Sequence, residues 1–212
     1  MKIYLIRHGE TEWNKECRLQ GQTDIELNEY GRELAAITSE ALKDIPFEII
    51  FHSPLNRAEE TARILKRDRN IPMVADNRIK EMNFGVEEGG HIPTIQKHPQ
   101  NPLYKFLNCP GEYIPPKEGE TFEEVYNRSS EFMEKEIIPL ESQYENVLIV
   151  AHGGLNRTIL NPIAGIAVSD FWKIRLKNCA VSVINLKNGK LTLEQEGSIY
   201  YESKNKDKSI LN

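Results

Sequence analysis

Lys2-Ile3-Tyr4-Leu5-Ile6-Arg7-His8-Gly9-Glu10-Thr11 begins with an apolar run that stops in charge and glycine. Ile3 to Ile6 is too short for a helix and reads as a buried strand feeding a loop, with Arg7 and His8 at its carboxyl end. The same design recurs at Asn146 to Ala151, a buried run that delivers His152-Gly153-Gly154. Between the two, Phe47 to Phe51 reads as another buried strand. Ser53-Pro54 follows it, with serine suited to a helix N-cap and proline to the first helical position. Ala58, Ala62 and Leu65 give that helix one apolar face.

The remaining elements alternate in the same way. Asn28 can cap a helix whose apolar positions include Leu34, Ile37, Ala41 and Leu42. Thr121-Phe122-Glu123-Glu124 is a capping box, and it opens a long helix carrying Phe122, Val125, Tyr126, Met133, Ile137 and Leu140. Val181 to Leu186 and Leu191 to Glu194 flank Asn188-Gly189, a hairpin signal. Strands that alternate with helices predict an α/β fold, a three-layer sandwich with a mainly parallel sheet and an antiparallel strand near the C-terminus. In such sheets ligands sit beyond the carboxyl ends of the strands, where His8 and His152 both fall.

A length of 212 residues suits one domain. We expect that domain over 1–202. A proline-rich excursion at about 86–118 has little periodicity beyond a short helix near Thr94 to His98, and 203–212 reads as a polar tail. The formal charge of -5 lacks the basic excess of a nucleic-acid binder, so no nucleic-acid partner is expected. No apolar run approaches a membrane span, and Met1 to Ile6 is too short for a signal peptide's apolar region, so no membrane partner is expected either. Cys17, Cys109 and Cys179 are odd in number, lack metal-ligand spacing and read as reduced thiols of a cytoplasmic protein. The sequence leaves a homodimer open.

Four segments carry candidate chemistry. In the first, a neutral His8 imidazole is a nucleophile toward phosphorus, and Arg7 would both disfavour its protonation and bind phosphoryl oxygens. Gly9 would let the backbone approach a ligand. In the second, Arg57 falls near a helix N-terminus, whose free amides favour an anion; a surface pair with Glu60 is the alternative. In the third, His152 could face His8 and donate to phosphoryl oxygens, or rest in the core on a backbone carbonyl. In the fourth, Lys80-Glu81-Met82-Asn83-Phe84-Gly85, spacing alone does not single out Glu81 among 32 acidic residues.

Taken in order, the Arg-His-Gly strand end, Ser53-Pro54-Leu55-Asn56-Arg57-Ala58, the Glu81 before Phe84-Gly85 and the His-Gly-Gly strand end resemble the histidine phosphatase superfamily, the phosphoglycerate-mutase-like group. The resemblance runs from about Lys2 to Leu186. It implies that His8 accepts a phosphoryl group on Nε2, that Arg7, Arg57 and His152 surround its oxygens, and that Glu81 protonates the leaving group and then activates water. It also implies that Asn14, Gln20 and Gly21, with Gly153, line the rest of the phosphate pocket, that Asn178 supports it, and that neither metal nor cofactor takes part.

The family holds hydrolases and mutases. Gln20-Gly21-Gln22-Thr23-Asp24 resembles its phosphatase branch, and Gly85 to Lys117 contains no arginine that could hold a glycerate carboxylate. The expected function is therefore a metal-independent phosphomonoesterase acting on a small phosphorylated metabolite. Mutase-type phosphoryl transfer and a non-catalytic phospho-ligand binding module are the alternatives.

Overall fold

The computed structural model describes residues 1–202; the polar tail expected over 203–212 lies outside the described residues. Strand β1 (Lys2–Arg7) stands inside a six-stranded sheet. Its alternation sorts Ile3 and Leu5 into one apolar cluster and Tyr4 and Ile6 into another, so both faces are covered. Short helix α1 (Glu12–Lys15), α2 (Glu29–Ala41), β2 (Ile49–His52), α3 (Asn56–Lys66) and β3 (Met73–Ala75) follow. Then come α4 (Ile92–Ile95), α5 (Tyr104–Asn108), α6 (Phe122–Phe132), β4 (Asn146–Ala151), α7 (Gly153–Ile163), β5 (Val181–Lys187) and β6 (Lys190–Ser198).

The strand order is β3-β2-β4-β1-β5-β6. β1, β2, β3 and β4 pair in parallel, and β5 runs antiparallel to both β1 and β6. Ala58, Ala62 and Leu65 of α3 pack on one face, and Val125, Phe132, Leu155 and Ile159 of α6 and α7 on the other. This is the expected α/β sandwich. The hairpin turns at Asn188 and Gly189, whose φ angles of 53° and 72° are the paired left-handed conformations of the tight turn that such a dipeptide favours. Thr121 caps α6 with a reciprocal Glu124 bond, as the capping box predicts.

Several local expectations are corrected. α3 does not start at Ser53-Pro54: it begins at Asn56, with Leu55 at its cap position. Its first amide is met from another loop, Asn56 N donating to Asp24 Oδ1 at 2.8 Å, so a tertiary contact replaces the local serine cap. On α2, Ile37 and Ala41 face solvent, and the buried stripe is Gly31, Leu34, Ala35, Thr38 and Ser39. The long helix passes into a wider π turn at Met133–Ile137. The helix expected near Thr94 to His98 lies at Ile92–Ile95 instead, because Ile92 and Ile95 are its buried residues. β3, Met73-Val74-Ala75, was not anticipated: it is apolar but only three residues long, and it lies largely exposed at the sheet edge. In the excursion, Ile92, Ile95, Leu103, Phe106 and Leu107 join the same buried cluster as β1 and β4.

Candidate active site

β1 and β4 are neighbours in parallel register, Arg7 opposite Ala151, so their carboxyl ends bring His8 and His152 together. The ring centroids are 5.2 Å apart. His8 Nδ1 lies 2.7 Å from the Gly9 carbonyl oxygen. A carbonyl only accepts, so Nδ1 carries the proton and the lone pair is left on Nε2. Burial first, then the charges of Arg57 and Arg7, hold this imidazole well below its ordinary pKa and keep it neutral. Asn178 Nδ2 donates to the carbonyls of His8 and Gly9, each at 3.1 Å, and to Asn14 Oδ1 at 3.2 Å, which fixes the loop that bears the imidazole.

Gly9 is glycine for a different reason than ligand approach. A Cβ there would stand 2.5 Å from the Gly31 carbonyl oxygen, so its backbone packs against α2.

Arg57 is fully buried at the second position of α3, while Glu60 pairs with Arg32 instead. Its Nη1 donates to Thr23 O at 3.0 Å and its Nη2 to Gly21 O at 2.6 Å. Burial pushes its pKa down to about 10, which leaves it charged at neutral pH. Gly21 therefore orients Arg57 with its carbonyl and is not part of the cleft lining. Glu88 organises the same loop: its carboxylate accepts from the amides of Gln22 and Thr23 at 2.8 and 2.7 Å, and from the Thr23 hydroxyl.

His152 occupies the cap position of α7, fully buried, and neither ring nitrogen has a hydrogen-bond partner among the described residues. A core histidine resting on a carbonyl would have one. Burial, then Arg57 and His8, hold its pKa well below the ordinary value.

Glu81 is buried beneath the α7 N-terminus. Its Oε1 accepts from the amides of Met82 at 2.9 Å and Leu155 at 2.8 Å, and its Oε2 from Gly154 at 2.9 Å. Each oxygen offers two lone-pair sites, so the site left over, on Oε2, is where a proton could ride.

A cleft opens over this cluster. Of the expected residues, Arg7, His8, Asn14, Gln20, Glu81 and Gly153 line it; Arg57 and His152 are not among its lining residues. Arg7 Nη1 donates to Leu176 O at 2.6 Å, and Gln20 Nε2 to Thr11 Oγ1 at 2.6 Å. Arg157 also lines the cleft and was not anticipated. It is fully buried, bonded to Ile174 O and Gly153 O at 2.9 Å each, with its guanidinium 5.0 Å from the Trp172 ring. Burial, then Arg7, pushes its pKa down to about 9. The available signal was a lone charge in Gly153 to Ile163, a helix otherwise free of charged residues. Among the described residues no group of three or more His, Cys, Asp and Glu could hold a metal ion, and no helix is long and apolar enough to cross a membrane.

The four segments thus converge at one end of the sheet. The model of the histidine phosphatase superfamily (branch 1) matches residues 3–198. The chain belongs to the histidine phosphatase superfamily. It is 31% identical over 192 residues to "Putative phosphoserine phosphatase 2" of Hydrogenobacter thermophilus, covering 91% of this chain and 93% of that protein. It is 31% identical over 186 residues to "Probable phosphoglycerate mutase GpmB" of Escherichia coli strain K12 / DH10B, covering 87% and 85%. Among solved structures, the alpha-ribazole phosphatase from Shigella flexneri superposes with a TM-score of 0.83 at 28% identity, covering 97% of this chain and all of that one. This histidine phosphatase therefore has relatives named both as phosphatases and as a mutase.

Proposed function

We propose that this histidine phosphatase is a cytoplasmic phosphomonoesterase that needs no metal and hydrolyses a small phosphorylated metabolite through a phosphohistidine on His8. The observation that carries the reading is the His8–Gly9 bond, which leaves a buried, neutral imidazole with its Nε2 lone pair available. That lone pair forms the N–P bond as the ester P–O bond breaks, and Glu81 gives its proton to the departing oxygen. The Nδ1–H held on Gly9 O eases the positive charge that the ring acquires. Arg7, Arg57 and His152 meet the charge spread over the equatorial oxygens. Water then attacks phosphorus, Glu81 takes its proton, and the N–P electron pair returns to Nε2.

One catalytic domain with the 86–118 excursion as a cap over the leaving group fits this scheme. The excursion contributes Ile92 and Phe106 to the cleft wall, which Arg18 and Arg157 line from elsewhere in the chain. Free Cys17, Cys109 and Cys179 support a reducing compartment.

Rapid quench with labelled substrate should trap acid-labile, base-stable phosphate on the wild-type protein and none on His8→Ala. Label that survives that substitution would move the nucleophile elsewhere. Incubation with phosphoglycerates separates hydrolysis from mutation: inorganic phosphate is the expected product, and an isomer without phosphate release would establish a mutase.

A further inference from the structure

Glu81 lies in a stretch, 80–83, that belongs to no helix and no sheet ladder, so regular structure does not hold its backbone in place. One side chain from α6 supplies the missing partners. Arg128 Nη1 donates to the carbonyls of Arg78 at 2.7 Å and Lys80 at 2.6 Å, and Nη2 donates to that of Glu81 at 3.0 Å. The guanidinium is itself held by Glu120, Nε to Oε1 at 2.9 Å and Nη2 to Oε2 at 3.0 Å. Glu120 completes the loop on the far side of Glu81: Asn83 N donates to its Oε2 at 2.8 Å, and its own N–H donates to Asn83 O at 2.8 Å. Both side chains are mostly buried, at 17% and 22% exposure.

We infer that Arg128 and Glu120 are positioning residues for the general acid, fixing the backbone of Glu81 so that its carboxyl meets the α7 amides and the leaving oxygen. The inference rests on the proposed role of Glu81 as that acid. The fork geometry decides the residue type. Three carbonyls and a two-point carboxylate contact need planar donors at fixed angles, which an ammonium cannot offer. Ordinary tertiary support would be indifferent to the leaving group, whereas support acting through an acid is not. An acid matters most when the departing oxygen is basic.

The test compares single-turnover phosphorylation by phenyl phosphate and p-nitrophenyl phosphate, near-identical in shape but different in leaving-group basicity. Arg128→Lys should lose about tenfold or more with phenyl phosphate and only about threefold or less with p-nitrophenyl phosphate, the scale of an impaired general acid. Glu120→Gln, which keeps shape, should show the same bias more weakly. Combined with Glu81→Gln, Arg128→Lys should add almost nothing with phenyl phosphate. If Glu81→Gln is leaving-group dependent while Arg128→Lys and Glu120→Gln affect both substrates equally, the positioning role is overturned and the acid assignment stands. If Glu81→Gln is itself indifferent to the leaving group, the acid assignment falls and takes this inference with it. Loss of the fold in both Arg128→Lys and Glu120→Gln would also overturn it, in favour of a purely structural pair.

Discussion

His8 and His152 lie side by side with ring centroids 5.2 Å apart, both buried and both held neutral, and among the described residues His152 has no hydrogen-bond partner on either nitrogen. In the unfolded chain each would protonate near its ordinary pKa of about 6.5. Folded pKa values below the unfolded one mean that the unfolded state binds protons first as the pH falls. Stability is therefore complete above about pH 6.5 and declines below it by up to about 1.4 kcal/mol per pH unit for each histidine, until the lowered folded values are reached. Urea unfolding between pH 7.5 and 5 should show this slope in the wild type and a shallower one in His8→Asn and His152→Asn. Identical slopes in all three proteins would show that the pair is not the source.

His152 and Arg57 should separate activity from stability in different ways. Arg57 satisfies the carbonyls of Gly21 and Thr23, so Arg57→Met leaves two acceptors bare; it should lose stability, by about 1–3 kcal/mol, along with turnover. His152→Leu removes a buried polar ring that has no partner among the described residues, so its melting temperature should hold or rise. Turnover should fall by about a hundredfold or more in each, the scale of losing one preorganised donor. Near-normal kcat/KM in either variant would remove that residue from the machinery.

Gly154 leaves room for the acid. A Cβ at this position would come 2.7 Å from Glu81 Oε1 and 3.3 Å from its Cδ, displacing a carboxylate that the Met82, Gly154 and Leu155 amides hold. Alanine is the better helix former by about 1 kcal/mol, so Gly154→Ala should not unfold α7. Phosphorylation by phenyl phosphate should drop by about tenfold, with a smaller loss for p-nitrophenyl phosphate. Retention of full activity with both esters would show that the carboxylate can shift without consequence.

Charge on the transferring phosphoryl group is met by Arg7, Arg57 and His152 in the proposed mechanism, with no ion required. Hydrolysis of p-nitrophenyl phosphate should therefore persist in excess EDTA at an unchanged rate. Activity abolished by chelation and restored by Mg²⁺ or Zn²⁺ would contradict it.

Much of the fold was legible because its signals are local. The apolar runs at Ile3 to Ile6 and Asn146 to Ala151 need only their own composition to read as buried strands, and both appear as β1 and β4. Thr121 and Glu124 bond within one turn of α6, and Asn188-Gly189 sets its own backbone angles. That His8 and His152 fall on the same side of the sheet was legible too, since parallel strands present their carboxyl ends on one side; that β1 and β4 are neighbours came from the topology.

The interior of the site was decided by tertiary structure alone. Nothing near Glu81 in the chain separates it from the other acids; what does is the α7 N-terminus, whose Gly154 amide reaches it across a separation of 73 residues. Asp24 moved the start of α3 past Ser53, and Gly21 and Thr23 turned Arg57 inward, all from loops distant in sequence. Arg128 is one cation among many in the sequence and Arg157 a lone charge in its helix; in the fold the first is a mostly buried clamp and the second a fully buried one. Sequence periodicity reports which face of an element is apolar, a property of neighbours a few residues apart. A buried charge is tolerated only where backbone groups from several elements surround it, and that arrangement exists only once the chain has folded.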